Sequence, residues 1–137
     1  MAKDFLKRAR ARLIDAEAAL KRGDYPETVR YSQECVELSL KACLRTVGIE
    51  YPKVHDVGGI LRFYTHKFPE WMQDQIESLA EASRDLAEKR APSMYGLEAL
   101  GKTASDLFGF DEAKDALEKA KKTYKVASKF INEFYES

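Results

Sequence analysis

The sequence predicts an all-α fold: an up-and-down bundle of four long antiparallel helices with one or two short helices between them. Two observations lead there. Apolar residues recur at spacings of three and four along most of the chain, the period that keeps them on one helical face. No stretch alternates apolar and polar residues at period two for long enough to support a strand. The 137 residues suit a single domain, residues 1–137, that withdraws roughly 68% of its unfolded surface from water.

The first helix is expected from about Lys3 to Arg22, with Leu6, Ala9, Leu13, Ala16 and Leu20 along one seam. The second runs from Pro26 to Val47. Asp24 can accept a hydrogen bond as N-cap, Pro26 fits the first turn, and Glu27 suits the positive end of the macrodipole. Val29, Gln33, Val36, Leu40, Cys43 and Val47 form its apolar seam, which Tyr31, Cys35, Leu38, Ala42 and Leu44 widen. Glu27, Arg30, Glu34, Glu37, Lys41 and Arg45 leave one polar stripe. A helix apolar on most sides and charged on one belongs at the centre of a bundle, with one edge on a cleft, an interface or water. Gly48 stands where a left-handed residue is needed to end it. The short link between the first two helices predicts an antiparallel hairpin.

After the Ile49–Lys53 loop, a shorter apolar segment from about His55 to Lys67 is interrupted near its start by Gly58 and Gly59. Phe63, Tyr64, Phe68 and Trp71 cluster here, either to fill the end of the bundle or to serve a homodimer interface. The fourth helix is predicted to begin near Pro69, to turn Met72, Ile76, Leu79, Ser83 and Leu86 inward, and to stop near Ala91. Proline disfavours helical geometry in the residue before it, and Pro92 follows. A short helix is expected from Leu97 to Leu107. The last long helix follows Asp111 as N-cap and buries Ala113, Ala116, Ala120, Tyr124, Ala127, Phe130 and Phe134.

Composition excludes several classes of function. Lysines and arginines balance aspartates and glutamates at 23 each, so no global field draws in nucleic acid. Two local runs stand out: basic Lys3, Lys7, Arg8, Arg10 and Arg12, and acidic Asp74, Glu77, Glu81, Asp85 and Glu88. Both read as solvated helix faces. Cys35 and Cys43, eight residues apart on one helix, lie about 12 Å apart along its axis, too far for a disulfide. They read as small apolar packing residues in a reducing compartment. No leader precedes the first helix and no segment approaches the roughly 20 apolar residues that span a bilayer, so a cytoplasmic location and no membrane contact are expected. One Asn and three Gln beside abundant Lys and Glu hint at a heat-adapted source.

No motif for a metal, a cofactor or a catalytic residue appears. His55 and His66 are the only histidines, and neither sits in a zinc-ligand spacing. Nucleophile elbows, phosphate loops and dinucleotide glycine fingerprints are missing.

Leu20-x-x-Gly23-Asp24-Tyr25, then Tyr31-Ser32-Gln33-Glu34-Cys35-x-Glu37-Leu38-x-x-Lys41-Ala42, then Gly48 and His55, resemble the HEPN family, named for nucleotide binding in higher eukaryotes and prokaryotes. The resemblance continues at Arg90–Gly96, which is similar to the basic-tyrosine-proline turn of short family members, and in the alanine-rich segment from Asp111 to Tyr135. It implies a helical bundle, usually a homodimer, that works beside a minimal nucleotidyltransferase as a two-component or toxin–antitoxin pair. The ribonuclease branch of the family carries an arginine, four to six residues and then a histidine near its final helices. That motif is missing here: Arg62 and His66 have only three residues between them, and no histidine follows Arg90.

The resulting expectation is a non-catalytic binding subunit for a nucleotide, a nucleotidyltransferase, or both. Its cleft would lie between the second helix and the Arg90 turn. Arg90 would pair with phosphate through its forked donors, Tyr95 would offer a ring or hydroxyl, and Lys41 and His55 would add polar contacts. The competing account has Arg90 capping a helix C-terminus and Tyr95 packing. Two other functions stay open: a metal-independent RNA-cleaving toxin, and a structural interaction module. The second rests on LKRGDYPETVRYSQECVEL, which resembles a tetratricopeptide hairpin, although no second copy follows 34 residues later. RNA binding is left open.

Overall fold

Four long helices pack as an all-α bundle with the second at its centre. The computed structural model describes residues 1–51 and 53–136; Pro52 of the predicted Ile49–Lys53 loop and the terminal Ser137 lie outside the described residues. Helix α1 (Ala2–Lys21) buries Leu6, Ala9, Ala16 and Ala19, and three of these four are small enough to let α2 (Tyr25–Thr46) lie close against it. Asp24 caps α2, its carboxylate accepting from the Glu27 N–H at 3.2 Å. Val29, Cys35, Val36, Leu40, Ala42, Cys43 and Leu44 are all buried as α2 meets α1, α5 and α7. At the far end Gly48 takes φ +80°, and the Ile49 N–H returns to the Leu44 carbonyl at 2.9 Å. A side chain at that φ would be strained, which is why the stop is a glycine. Both cysteines are free and buried, and burial pushes the Cys35 thiol up to about 12.

The two glycines after His55 open helix α3 (Gly58–Phe63) rather than interrupting it. The reason is packing. A Cβ on Gly58 would sit 2.7 Å from the Ala80 carbonyl oxygen, so α3 can lie on α5 only without one. The same junction is fastened by polar contacts: the Val57 N–H donates to Ser83 Oγ at 3.0 Å, and Asp56 Oδ1 accepts from the Gly58 N–H at 2.9 Å.

The predicted fourth helix comes in two pieces, α4 (Glu70–Gln73) and α5 (Ile76–Tyr95). Between them the Gln75 N–H bonds to the Met72 carbonyl three residues back, a tighter winding than the α-helix tolerates for long. At its other end α5 runs through Pro92 to Tyr95, past the stop that the sequence predicts near Ala91. Pro92 removes one backbone bond, the one to Glu88, and Glu88 is exposed to water. Ser93 Oγ meanwhile donates to the Arg90 carbonyl at 2.6 Å.

The expected Leu97–Leu107 helix is also divided. A 3-10 turn spans Glu98–Leu100, and α6 (Ala104–Leu107) starts afresh at a capping box between Thr103 and Asp106. Leu97 and Leu100 are exposed, and Phe108 is the residue that enters the core. Helix α7 (Phe110–Glu136) begins one residue before Asp111, which therefore sits in its first turn; Glu112 instead bonds back to the Gly109 N–H at 3.1 Å. Of the clustered aromatics, Phe68 fills the bundle end against Phe130 at 5.3 Å, whereas Phe63 lies 73% exposed. Among the described residues no helix is long and apolar enough to cross a membrane.

Candidate functional site

The middle of the α2 polar stripe, Glu34 and Glu37, is covered by other segments. It floors a pocket of about 300 Å³ walled by Arg8 and Arg12 of α1, Arg90 of α5 and His55 from the loop before α3. Three segments distant in sequence thus bring three arginines and an imidazole toward Glu34 and Glu37.

Each of these groups is held differently. Arg90, mostly buried, donates from Nη1 to Gln33 Oε1 and to Glu34 Oε2, both at 2.8 Å. Its Nε and Nη2 make no hydrogen bond to the described residues, so two arms of the guanidinium stay available. Arg12 bonds Asp15 at 2.7 Å and approaches Glu34 at 3.8 Å. His55 is itself more than half exposed, yet its Nδ1 lies 2.7 Å from Glu37 Oε1. A carboxylate only accepts, so the proton of that bond sits on Nδ1 and Nε2 is left for another partner.

Glu37 is the hub. It receives His55, Gln33 Nε2 at 2.9 Å and Lys41 Nζ at 2.8 Å. Burial would raise its carboxyl, but the bonds from Lys41, Gln33 and His55 outweigh burial and hold it below the usual range. His55 is kept over this hub by the bonds at Asp56, Val57 and Ser83, which tie the end of its loop to α5.

The candidate residues read from sequence fall into three groups. Arg90 and His55 come together on the pocket wall. Lys41 lies one turn of α2 further on, buried against Glu37 and Tyr51, and lines an adjoining groove. Tyr95 is 69% exposed and lines neither. Arg90 is also no C-terminal cap, because the helix continues for five residues and the side chain crosses to α2. Sequence reasoning missed Arg8, Arg12, Gln33, Glu34 and Glu37 as site residues. The signal for the glutamates was present in the spacing of the polar stripe; nothing local marked Gln33, which occupies the apolar seam.

The arrangement offers a wall of guanidinium groups to an anion, with Glu34 fixing Arg90 and approached by Arg12, and Glu37 holding His55 beside them. Among the described residues no three of His, Cys, Asp and Glu gather as metal ligands would.

A family model described as the HEPN domain matches residues 2–133. A protein of Methanocaldococcus jannaschii named "Putative toxin MJ1304" is 30% identical over 138 aligned positions, covering 98% of this chain and 90% of that protein. The crystal structure of TT1696 from Thermus thermophilus superposes with a TM-score of 0.75 at 27% identity, covering 93% of this chain and 96% of the other.

Proposed function

The chain belongs to the HEPN domain family, and we propose that within it this protein is a non-catalytic binding subunit whose Arg90–His55 pocket takes the phosphate end of a nucleotide. The observation that carries the reading is the state of Arg90. One nitrogen anchors it to Gln33 and Glu34, which orients the planar fork, while Nε and Nη2 remain free to meet a phosphate in two parallel bonds. Arg12 supplies further donors from the facing wall, and His55 leaves Nε2 open toward the same space. The toxin name of the Methanocaldococcus relative supports a two-component setting, in which the partner is a minimal nucleotidyltransferase that presents or consumes the nucleotide.

Calorimetric titration with adenosine monophosphate tests this. Arg90→Ala should weaken binding by about one to two decades, the equivalent of a charge-assisted contact worth roughly 1.5–3 kcal/mol. The same variant should melt lower, because Arg90 also braces α5 on α2. Unchanged affinity beside a lowered melting point would reduce Arg90 to a brace and remove the pocket as the nucleotide site.

One observation favours a second reading, metal-independent RNA cleavage: the His55–Glu37 contact is a carboxylate-oriented imidazole beside arginines, the parts of a general acid–base site. We expect no cleavage of single-stranded or transfer RNA by purified protein. Cleavage that disappears in His55→Ala would install this second reading in place of the first.

A further inference from the structure

The pocket does not end at His55. A groove of about 400 Å³ continues from it along α2, shares Arg8, Glu37 and Leu38 as walls, and runs on to Lys41, Arg45, Tyr51 and Lys53. From Glu34 to Arg45 the helix axis advances about 16 Å, further than a single nucleotide reaches.

The two halves differ in how their charges are answered. In the pocket, Arg12 and Arg90 meet Glu34, and His55 meets Glu37. In the groove Lys41 is answered by Glu37, but Arg8, Arg45 and Lys53 have no carboxylate within ion-pair distance among the described residues. Glu37 already accepts three bonds, and Glu50 is the groove's one other acid. The uncompensated positive charge therefore runs from Arg8, on the wall that pocket and groove share, to Arg45 and Lys53 in the groove alone.

That charge surrounds an aromatic platform. Tyr51 is half-buried and packs edge-on against Phe5 at 6.1 Å, with Lys41 Nζ 5.1 Å from its ring centre. A partly open ring flanked by unpaired cations is the combination that holds one unit of a single strand, the base on the ring and the phosphate on the cations. An acidic peptide would use the cations but has no group that needs the ring.

We propose that this groove is a second nucleotide subsite, so that the site as a whole takes a single-stranded polynucleotide of two or more units rather than a mononucleotide. Tyr51 stacks the additional base, and Arg8, Arg45 and Lys53 hold its phosphate. This rests on the reading of the Arg90–His55 pocket as a nucleotide site.

The test is calorimetric titration of the full chain with uridine monophosphate, tetrauridylate, tetrathymidylate and a deca-glutamate peptide. Tetrauridylate should bind at least about tenfold more tightly than the monophosphate, the scale of one base–ring stack. Its affinity should also fall more steeply with salt, by about 0.7 in the logarithmic slope for each added phosphate held. Tyr51→Leu and Arg45→Gln should each erase most of the length gain and leave monophosphate binding as it was; Tyr51→Phe should keep it. Circular dichroism on each variant excludes misfolding, and Arg45→Gln, at a partly exposed position, stands as the control if Tyr51→Leu fails to fold. Comparable binding of tetrathymidylate supports recognition of the shared phosphodiester chain, and a preference for tetrauridylate supports the same subsite with the 2′-hydroxyl read. A tetranucleotide no tighter than the monophosphate overturns the subsite and leaves the pocket standing. Tyr51-dependent tetranucleotide binding without monophosphate binding does the reverse. Deca-glutamate matching tetrauridylate, with the same loss in Arg45→Gln and none in Tyr51→Leu, overturns the subsite in favour of an acidic protein partner.

Discussion

Replacing Glu37 by glutamine separates a carboxylate that organises this site from one that merely decorates a helix. The side chain is 15% exposed and receives Lys41 Nζ at 2.8 Å, His55 Nδ1 at 2.7 Å and Gln33 Nε2 at 2.9 Å. Glutamine keeps the volume and one acceptor but turns the second oxygen into a donor, which must face another donor. Each bond that loses its charged partner drops from roughly 1.5–3 to about 0.5–1.5 kcal/mol. Lys41, only 10% exposed, is also left without a counter-charge. Together these give a loss of about 2–4 kcal/mol at pH 7, just under the 3–5 expected for orphaning a fully buried ion. At about 4 °C per kcal/mol for a domain of this size, melting should fall by roughly 8–16 °C.

The pH dependence follows from the direction of the shift. The folded-state carboxyl titrates below its unfolded value, so its stabilisation is complete above the unfolded pKa, about 4.3 for a glutamate, and is lost as pH falls through the folded value. The gap between wild type and Glu37→Gln, measured by urea unfolding at pH 7, 5 and 3, should therefore hold from 7 to 5 and shrink by 3. A gap under half a kcal/mol at pH 7, or one as large at pH 3 as at pH 7, would refute the role assigned to Glu37.

Two further substitutions probe the scaffold that carries the site. Leu40 is fully buried at the centre of α2, and Leu40→Ala should lose about 2–5 kcal/mol in urea unfolding as a large-to-small core change; a loss below half a kcal/mol would contradict the central placement of α2. Gly58→Ala would bring a methyl within 2.7 Å of the Ala80 carbonyl and 3.2 Å of its Cα, so α3 must lift from α5 at a cost of about 1–3 kcal/mol. His55 precedes that junction by three residues, and its imidazole resonances should shift with it in NMR spectra; wild-type stability with unmoved resonances would show that the junction does not position the histidine.

Much of the fold was legible because its causes are local. The Asp24 cap, the Gly48 stop and the three–four spacing of Val29, Val36, Leu40 and Cys43 act within a turn or two of the helix they shape, and the structure repeats them. The local rules failed where they were applied without their surroundings. Pro92 predicts a stop, but near the end of a helix it costs a single hydrogen bond, at an exposed residue, and α5 continues past it. Gly58 and Gly59 predict an interruption when taken by themselves, because nothing in the chain near them shows that α3 must approach the Ala80 carbonyl.

The sequence by itself determined the helical class, the family, and the presence of one polar stripe on an otherwise buried helix. It also picked out Arg90 and His55, but as separate residues, and grouped Tyr95 with them although that side chain points its ring into solvent. Only the tertiary structure decided what the stripe faces. Arg90 reaches Gln33 from 57 positions away and His55 reaches Glu37 from 18. Spacing along the chain encodes neither distance, because a helix repeats every 3.6 residues and carries no record of what is packed against it. Gln33 shows this most plainly. Its place in the apolar seam predicted a packing residue, and it is indeed 1% exposed, yet it is buried under an arginine from another helix, to which its amide is bonded. Burial was set by local periodicity, and the partner by the crossing of α5 over α2.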